Sequence, residues 1–163
     1  TVVLGRGASR PAASRFRDMA LALPDHGIEV LGEVEGATEC PDNLSLRGWV
    51  EDAASAIGRS GIIVGGAGDG VTNLALASDA RFICLPEARP FDEQTSKAQA
   101  LQEQGAALTL GEWPDARTWP AIVDAALRLD PAASRRLDAP DGVERCARHL
   151  SECAEAVPIR ICA

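Results

Sequence analysis

Short, β-branched apolar runs alternate with amphipathic stretches from one end of this chain to the other. Residues 1–5 (TVVLG), 28–34 (IEVLGEV), 62–64 (IIV), 81–86 (RFICLP) and 106–110 (AALTL) each predict a strand, and 44–50 (LSLRGWV) a short strand or extended segment. The runs largely lack the apolar–polar alternation of a strand with one wet face, so these strands are expected to be buried on both sides. Between them, apolar positions fall at helical spacing. Ala12, Phe16, Met19, Ala20 and Leu23 mark a first helix, with Pro11 in its opening turn and Pro24-Asp25-His26-Gly27 ending it. Further helices are predicted over 51–59, from Val71 onward, over 92–104 with Gly105 as the stop, over 119–129 and over 143–156. Residues 35–43 are polar and irregular, and 130–141 read as a loose hinge.

Strands alternating with helices imply a mainly parallel sheet with helices on both faces, a Rossmann-like three-layer α/β/α sandwich. Ligands of such sheets sit beyond the carboxyl ends of the strands. The Gly5 turn, the Gly65 turn and the loop from Pro86 all follow strands, so all three are expected to reach one crevice.

The segment 61–80, GIIVGGAGDGVTNLALASDA, carries the most chemistry. It is a strand, a glycine-rich turn and a helix start. Absent side chains let backbone approach a phosphate, and the leading N–H groups and helix dipole point at it. PEARPFDEQTSKAQAL (86–101) then places Glu93 and Gln94 at the start of the next helix. Together these segments suggest a pocket for a nucleotide carrying a sugar. The plainer alternatives are a tight turn that binds nothing and a first-turn acid that complements the helix dipole.

Composition narrows the classes. The chain has 163 residues, enough for one domain with a real core. Its formal net charge is −8 and Lys97 is its only lysine, which argues against nucleic acid and against a polybasic membrane patch. No apolar run approaches the ~20 residues of a transmembrane helix. The five cysteines are odd in number and form no CxxC pair, so neither a zinc site nor a disulfide framework is expected, and a cytoplasmic setting is. Cys146 and Cys153, seven apart on one helix face, read as packing residues, as do Trp113 and Trp119; His26 and His149 receive no catalytic role. The chain opens at Thr1 directly on an apolar strand, which leads to the expectation of a preceding domain.

GRG after the first strand, RGWVEDAASAI, GGAGDGVTNLALASDARFICLPE, RPFDEQTSKAQALQEQGAA and DGVERCARHL occur in the order seen in GT-B glycosyltransferases. Over residues 2–150 the chain resembles the C-terminal domain of family 28, which includes the peptidoglycan N-acetylglucosaminyltransferase acting on the lipid intermediate. The resemblance implies a single donor-binding domain over 1–163, with a core to about 130 and a helical tail over 131–163. It implies a UDP-sugar donor as substrate, such as UDP-N-acetylglucosamine or another UDP-hexose, with no cofactor and no bound metal. The acceptor and the general base would come from an N-terminal domain, so no catalytic residue is assigned.

By position, the resemblance puts Trp49 and Val50 at the uracil. Gly66, Gly68, Gly70, Val71 and Thr72 fall at the diphosphate turn, and Glu93 and Gln94 at the donor sugar hydroxyls. Gly5, Arg6 and Gly7 fall on a first glycine loop near the phosphates. Two positions depart from the family. Leu74 stands where a glutamate usually holds the ribose, with Asn73 one position earlier as a substitute. Asp69 lies inside the glycine turn, where a carboxylate repels phosphate; it is expected to point away and cap the helix.

Other readings stay open. The chain can be a donor-binding subunit that works with a separate partner chain through a large apolar patch, or a degenerate, non-catalytic relative. A nicotinamide or flavin domain is disfavoured because GRGASRPAA lacks a full GxGxxG. A nucleotide-sugar 2-epimerase shares the architecture but needs cleft carboxylates and a histidine.

Overall fold

The sheet is the spine of the molecule, seen in a computed structural model that describes residues 1–5 and 10–156. Its strands are β1 (Val2–Val3), β2 (Ile28–Leu31), β3 (Leu44–Gly48), β4 (Ile62–Gly65), β5 (Arg81–Cys84) and β6 (Ala107–Thr109). They lie in the order β3-β2-β1-β4-β5-β6, and every neighbouring pair is parallel. The order reverses between β1 and β4, where Val3 stands opposite Gly65. That reversal opens a crevice at the carboxyl ends of the two strands.

Helices α1 (Ala13–Ala22), α2 (Ala53–Ile57), α3 (Asp69–Leu76), α4 (Glu93–Glu103) and α5 (Trp119–Leu127) cover the sheet. Successive strand residues point to opposite faces, and the two apolar clusters record this. Ile63, Phe82 and Cys84 pack with Ile57, Val71, Ala75, Ala98 and Leu101 on one side. Val2, Val30, Val64 and Ile83 pack with Phe16, Met19, Trp119 and Val123 on the other. Each large side chain buried this way stabilises the fold by roughly 1.5–3 kcal/mol, which is why unalternating apolar runs make central strands. Trp113 meets Phe16 edge-on at 5.3 Å and Trp119 at 4.9 Å, with the Arg15 guanidinium 5.4 Å over its ring. Both tryptophans are packing residues, as the sequence led us to expect.

Three expectations need correction. β2 ends at Leu31 rather than Val34, because Gly32 takes φ +117° and packs against Leu4 so closely that a Cβ would stand 2.7 Å from the Leu4 Cβ. The stretch read as a loose hinge contains α6 (Pro131–Leu137), which packs on α3. Its start signals are in the sequence: Asp130 accepts from Ala132 N at 3.0 Å, and Pro131 occupies the first turn. Cys146 and Cys153 are exposed on α7 (Gly142–Ala156), not packed. Seven-residue spacing puts them on one face but does not say whether that face is covered.

Candidate functional site

A cleft of about 390 Å³ lies at the β1–β4 switch point. The end of β1 supplies Val3, Leu4 and Gly5, and the turn after β4 supplies Gly66 and Gly68. Trp49, Val50 and Ala53 wall it from the β3–α2 connection, and Val71 and Leu74 from α3. The loop after β5 adds Glu87 and Arg89, and α4 adds Gln94. The three strand-end segments expected to share one crevice do share it.

The turn is shaped by close packing. A Cβ on Gly65 would lie 2.7 Å from Val71 Cγ1 and 3.0 Å from the Val3 carbonyl, so β4 can bend into α3 only with glycine there. Gly68 is the extended N-cap residue of α3, and no side chain caps the helix. Asp69 is therefore not the cap that was expected. It is the first helical residue, and its carboxylate pairs with Lys97 of α4. The hydrogen bond from Lys97, then its charge, hold the Asp69 carboxyl below its usual range. Gly68, Asp69 and Gly70 thus line the cleft at a helix start that no side-chain hydrogen bond caps.

Gln94 is 5% exposed and its side chain is anchored. Its Oε1 accepts from Ala67 N at 3.1 Å and from Glu87 N at 3.0 Å. Both partners are donors, which fixes the oxygen towards them and turns the NH₂ group to the Gly68 side. There Nε2 lies 3.8 Å from where a Gly68 Cβ would stand. The Arg89 guanidinium donates to Glu87 Oε2 at 2.7 Å, and both side chains are about one-third exposed.

Of the residues singled out from sequence, Gly5, Trp49, Val50, Gly66, Gly68, Gly70, Val71 and Gln94 line this cleft. Thr72 is buried, while Asn73 and Glu93 are exposed, and none of the three is in the lining. Arg6 and Gly7 lie outside the described residues. Sequence reasoning brought the Pro86 loop to the crevice but missed Glu87 and Arg89 as its side chains. Their signal was their place directly after a strand that ends at the crevice. Among the described residues, no group of three His, Cys, Asp or Glu is placed to hold a metal ion, and no helix is long and apolar enough to cross a membrane.

No protein-family model and no curated protein sequence matches this chain. Solved structures do. MurG of Acinetobacter baumannii superimposes with a TM-score of 0.67 at 14% identity, over 93% of this chain and 49% of its own. The glycotransferase of kitacinnamycin gives 0.63 at 24% identity, over 91% and 38%. Arabidopsis thaliana UGT89C1 complexed with UDP gives 0.61 at 17% identity, over 83% and 36%. The chain shares the Rossmann-like α/β fold of part of these GT-B glycosyltransferases. It spans less than half the length of these solved chains. At these identities the likeness is one of fold, and chemistry must be argued from the cleft.

Proposed function

We infer that this chain is the donor-binding domain of a glycosyltransferase and holds a UDP-sugar in the switch-point cleft. One observation carries the reading: the glycine turn, the uncapped start of α3, the Trp49–Val50 wall and Gln94 all converge on that single cleft. In this reading the base lies against Trp49 and Val50, the diphosphate on the turn from Gly66 to Val71, and the sugar towards Glu93 and Gln94. Leu74 gives the ribose an apolar wall in place of a carboxylate, with Asn73 one position away.

The chemistry suits the parts. Transfer of the sugar leaves a nucleoside diphosphate whose charge grows on the leaving oxygen. Backbone amides at a helix start stabilise that charge without reorganising, because they are already fixed. The acceptor and the base that deprotonates it would come from an N-terminal domain or a partner chain, so the isolated chain is expected to bind donor without transferring sugar.

Calorimetric titration with UDP, GDP, TDP and NAD tests this. Selective UDP binding, lost in Gly68→Trp, is the expected result. Selective NAD binding, or none with the acceptor domain also present, would overturn it.

A further inference from the structure

We propose that Arg89 is the cation that receives the donor's diphosphate, and that Glu87 holds it until the diphosphate takes its place. This rests on the donor-site reading above and names a specificity-determining pair within it.

A nucleoside diphosphate brings at least two negative charges to a turn that already has two carboxylates beside it. Lys97 answers Asp69, but Lys97 is not in the cleft wall. Arg89 is the only cation among the described lining residues. Its partner Glu87 overlies the turn: Glu87 Oε1 lies 3.9 Å from where a Gly66 Cβ would stand. The carboxylate thus sits beside the place argued for phosphate, bound to the charge that a phosphate would need.

The pair is built to exchange. Its backbone is fixed, since Glu87 N donates to Gln94 at 3.0 Å and Leu85 N to the Gly65 carbonyl at 2.8 Å. Only the two side chains have to turn. The guanidinium gives Glu87 one hydrogen bond, from Nη2, and keeps its remaining donors for an incoming oxyanion. Arg and phosphate then meet as a two-bond fork, which one carboxylate oxygen does not match. At one-third exposure the ion pair is only partly screened and remains open to competition.

The loop itself is constrained. Phe91 and Asp92, directly after Arg89-Pro90, both take positive φ, 63° and 52°. Two consecutive non-glycine residues in the left-handed region are costly and are kept where the loop's path matters. The consequence is selectivity. A neutral nucleoside offers Arg89 nothing in exchange for Glu87, whereas a diphosphate does.

The test is titration of wild type, Arg89→Gln, Arg89→Lys and Glu87→Gln with UDP, uridine and inorganic pyrophosphate, with unfolding curves confirming that each variant is folded. Arg89→Gln is expected to weaken UDP and pyrophosphate by about tenfold or more and leave uridine unchanged. Arg89→Lys should restore part of that loss, and Glu87→Gln should tighten both anions. Equal binding of UDP and pyrophosphate by wild type and Arg89→Gln overturns the proposal, as does a wild type that binds uridine as tightly as UDP. Pyrophosphate binding that needs Arg89, with no preference for UDP, upholds the proposal and removes the UDP reading. No binding of any of the three, with the acceptor domain also present, overturns both.

Discussion

Gln94 Oε1 lies 3.1 Å from Ala67 N, a buried hydrogen bond between residues 27 apart that ties α4 to the glycine turn. The same oxygen accepts from Glu87 N, so one carboxamide joins three segments of the cleft. Removing it leaves two backbone amides without their partner, and each unsatisfied buried group costs about 1–3 kcal/mol. Gln94→Ala should therefore lower unfolding stability by roughly 2–4 kcal/mol in denaturant titration. Gln94→Glu keeps an acceptor oxygen and should lose less. Equal stability of Gln94→Ala and wild type would mean that the anchor is not formed in solution.

How much of this was legible beforehand differs between the frame and the cleft wall. Ile63 and Phe82 announced central strands because an apolar run without polar alternation has nowhere to go but a sheet covered on both faces. The Gly65 turn announced itself because few residues but glycine fit between a strand end and a helix start. The role of Gln94 as an anchor was not legible: position suggested a sugar contact, and only the fold brings Ala67 N to it. Asp69 shows the same limit. Its place beside glycine suggested a cap, but a lysine 28 residues away holds it instead. Pairings across the fold have no periodicity to read.

The glycines of the turn do different work, and alanine separates them. At Gly65 a Cβ meets Val71 Cγ1 at 2.7 Å and the Val3 carbonyl at 3.0 Å, so Gly65→Ala forces strand and helix apart. A loss of roughly 1–3 kcal/mol is expected. At Gly70 nothing lies within 4 Å of the Cβ position, and the residue is inside α3. Gly70→Ala should be neutral or stabilising by up to roughly 0.5–1 kcal/mol, since alanine favours the helix. Thermal unfolding of the two variants decides this, and a destabilised Gly70→Ala would contradict the geometry.

Cys84 is fully buried at the end of β5, and burial pushes its thiol up to about 12. In the unfolded chain it titrates near the ordinary ~8.5. The native state thus keeps a proton that the unfolded state releases, and stability should fall as pH rises from about 8.5 towards 12, by up to about 1.4 kcal/mol per pH unit from this one group. Cys84→Ala should show a smaller alkaline slope. In native alkylation at pH 8 followed by peptide mass analysis, Cys84 should stay unmodified while the exposed Cys40, Cys146 and Cys153 react. Rapid labelling of Cys84 would mean that β5 opens readily.

Lys97 has a task at the site although it does not line the cleft: it pairs the carboxylate of Asp69, which does line it. Its hydrogen bond and charge depress the Asp69 carboxyl, so the pair favours the folded state above the usual carboxylate range, and that contribution fades as pH falls through the native Asp69 titration. Lys97→Met should move the Asp69 titration upward, as read by carboxyl NMR shifts. The released carboxylate then competes for the same helix start as a phosphate. Binding of UDP should weaken in Lys97→Met and recover in Lys97→Met/Asp69→Asn, because the second change removes the repelling charge. A double variant no better than Lys97→Met alone would mean that Lys97 acts on the ligand directly. An Asp69 titration that does not move would mean that the pair does not form in solution.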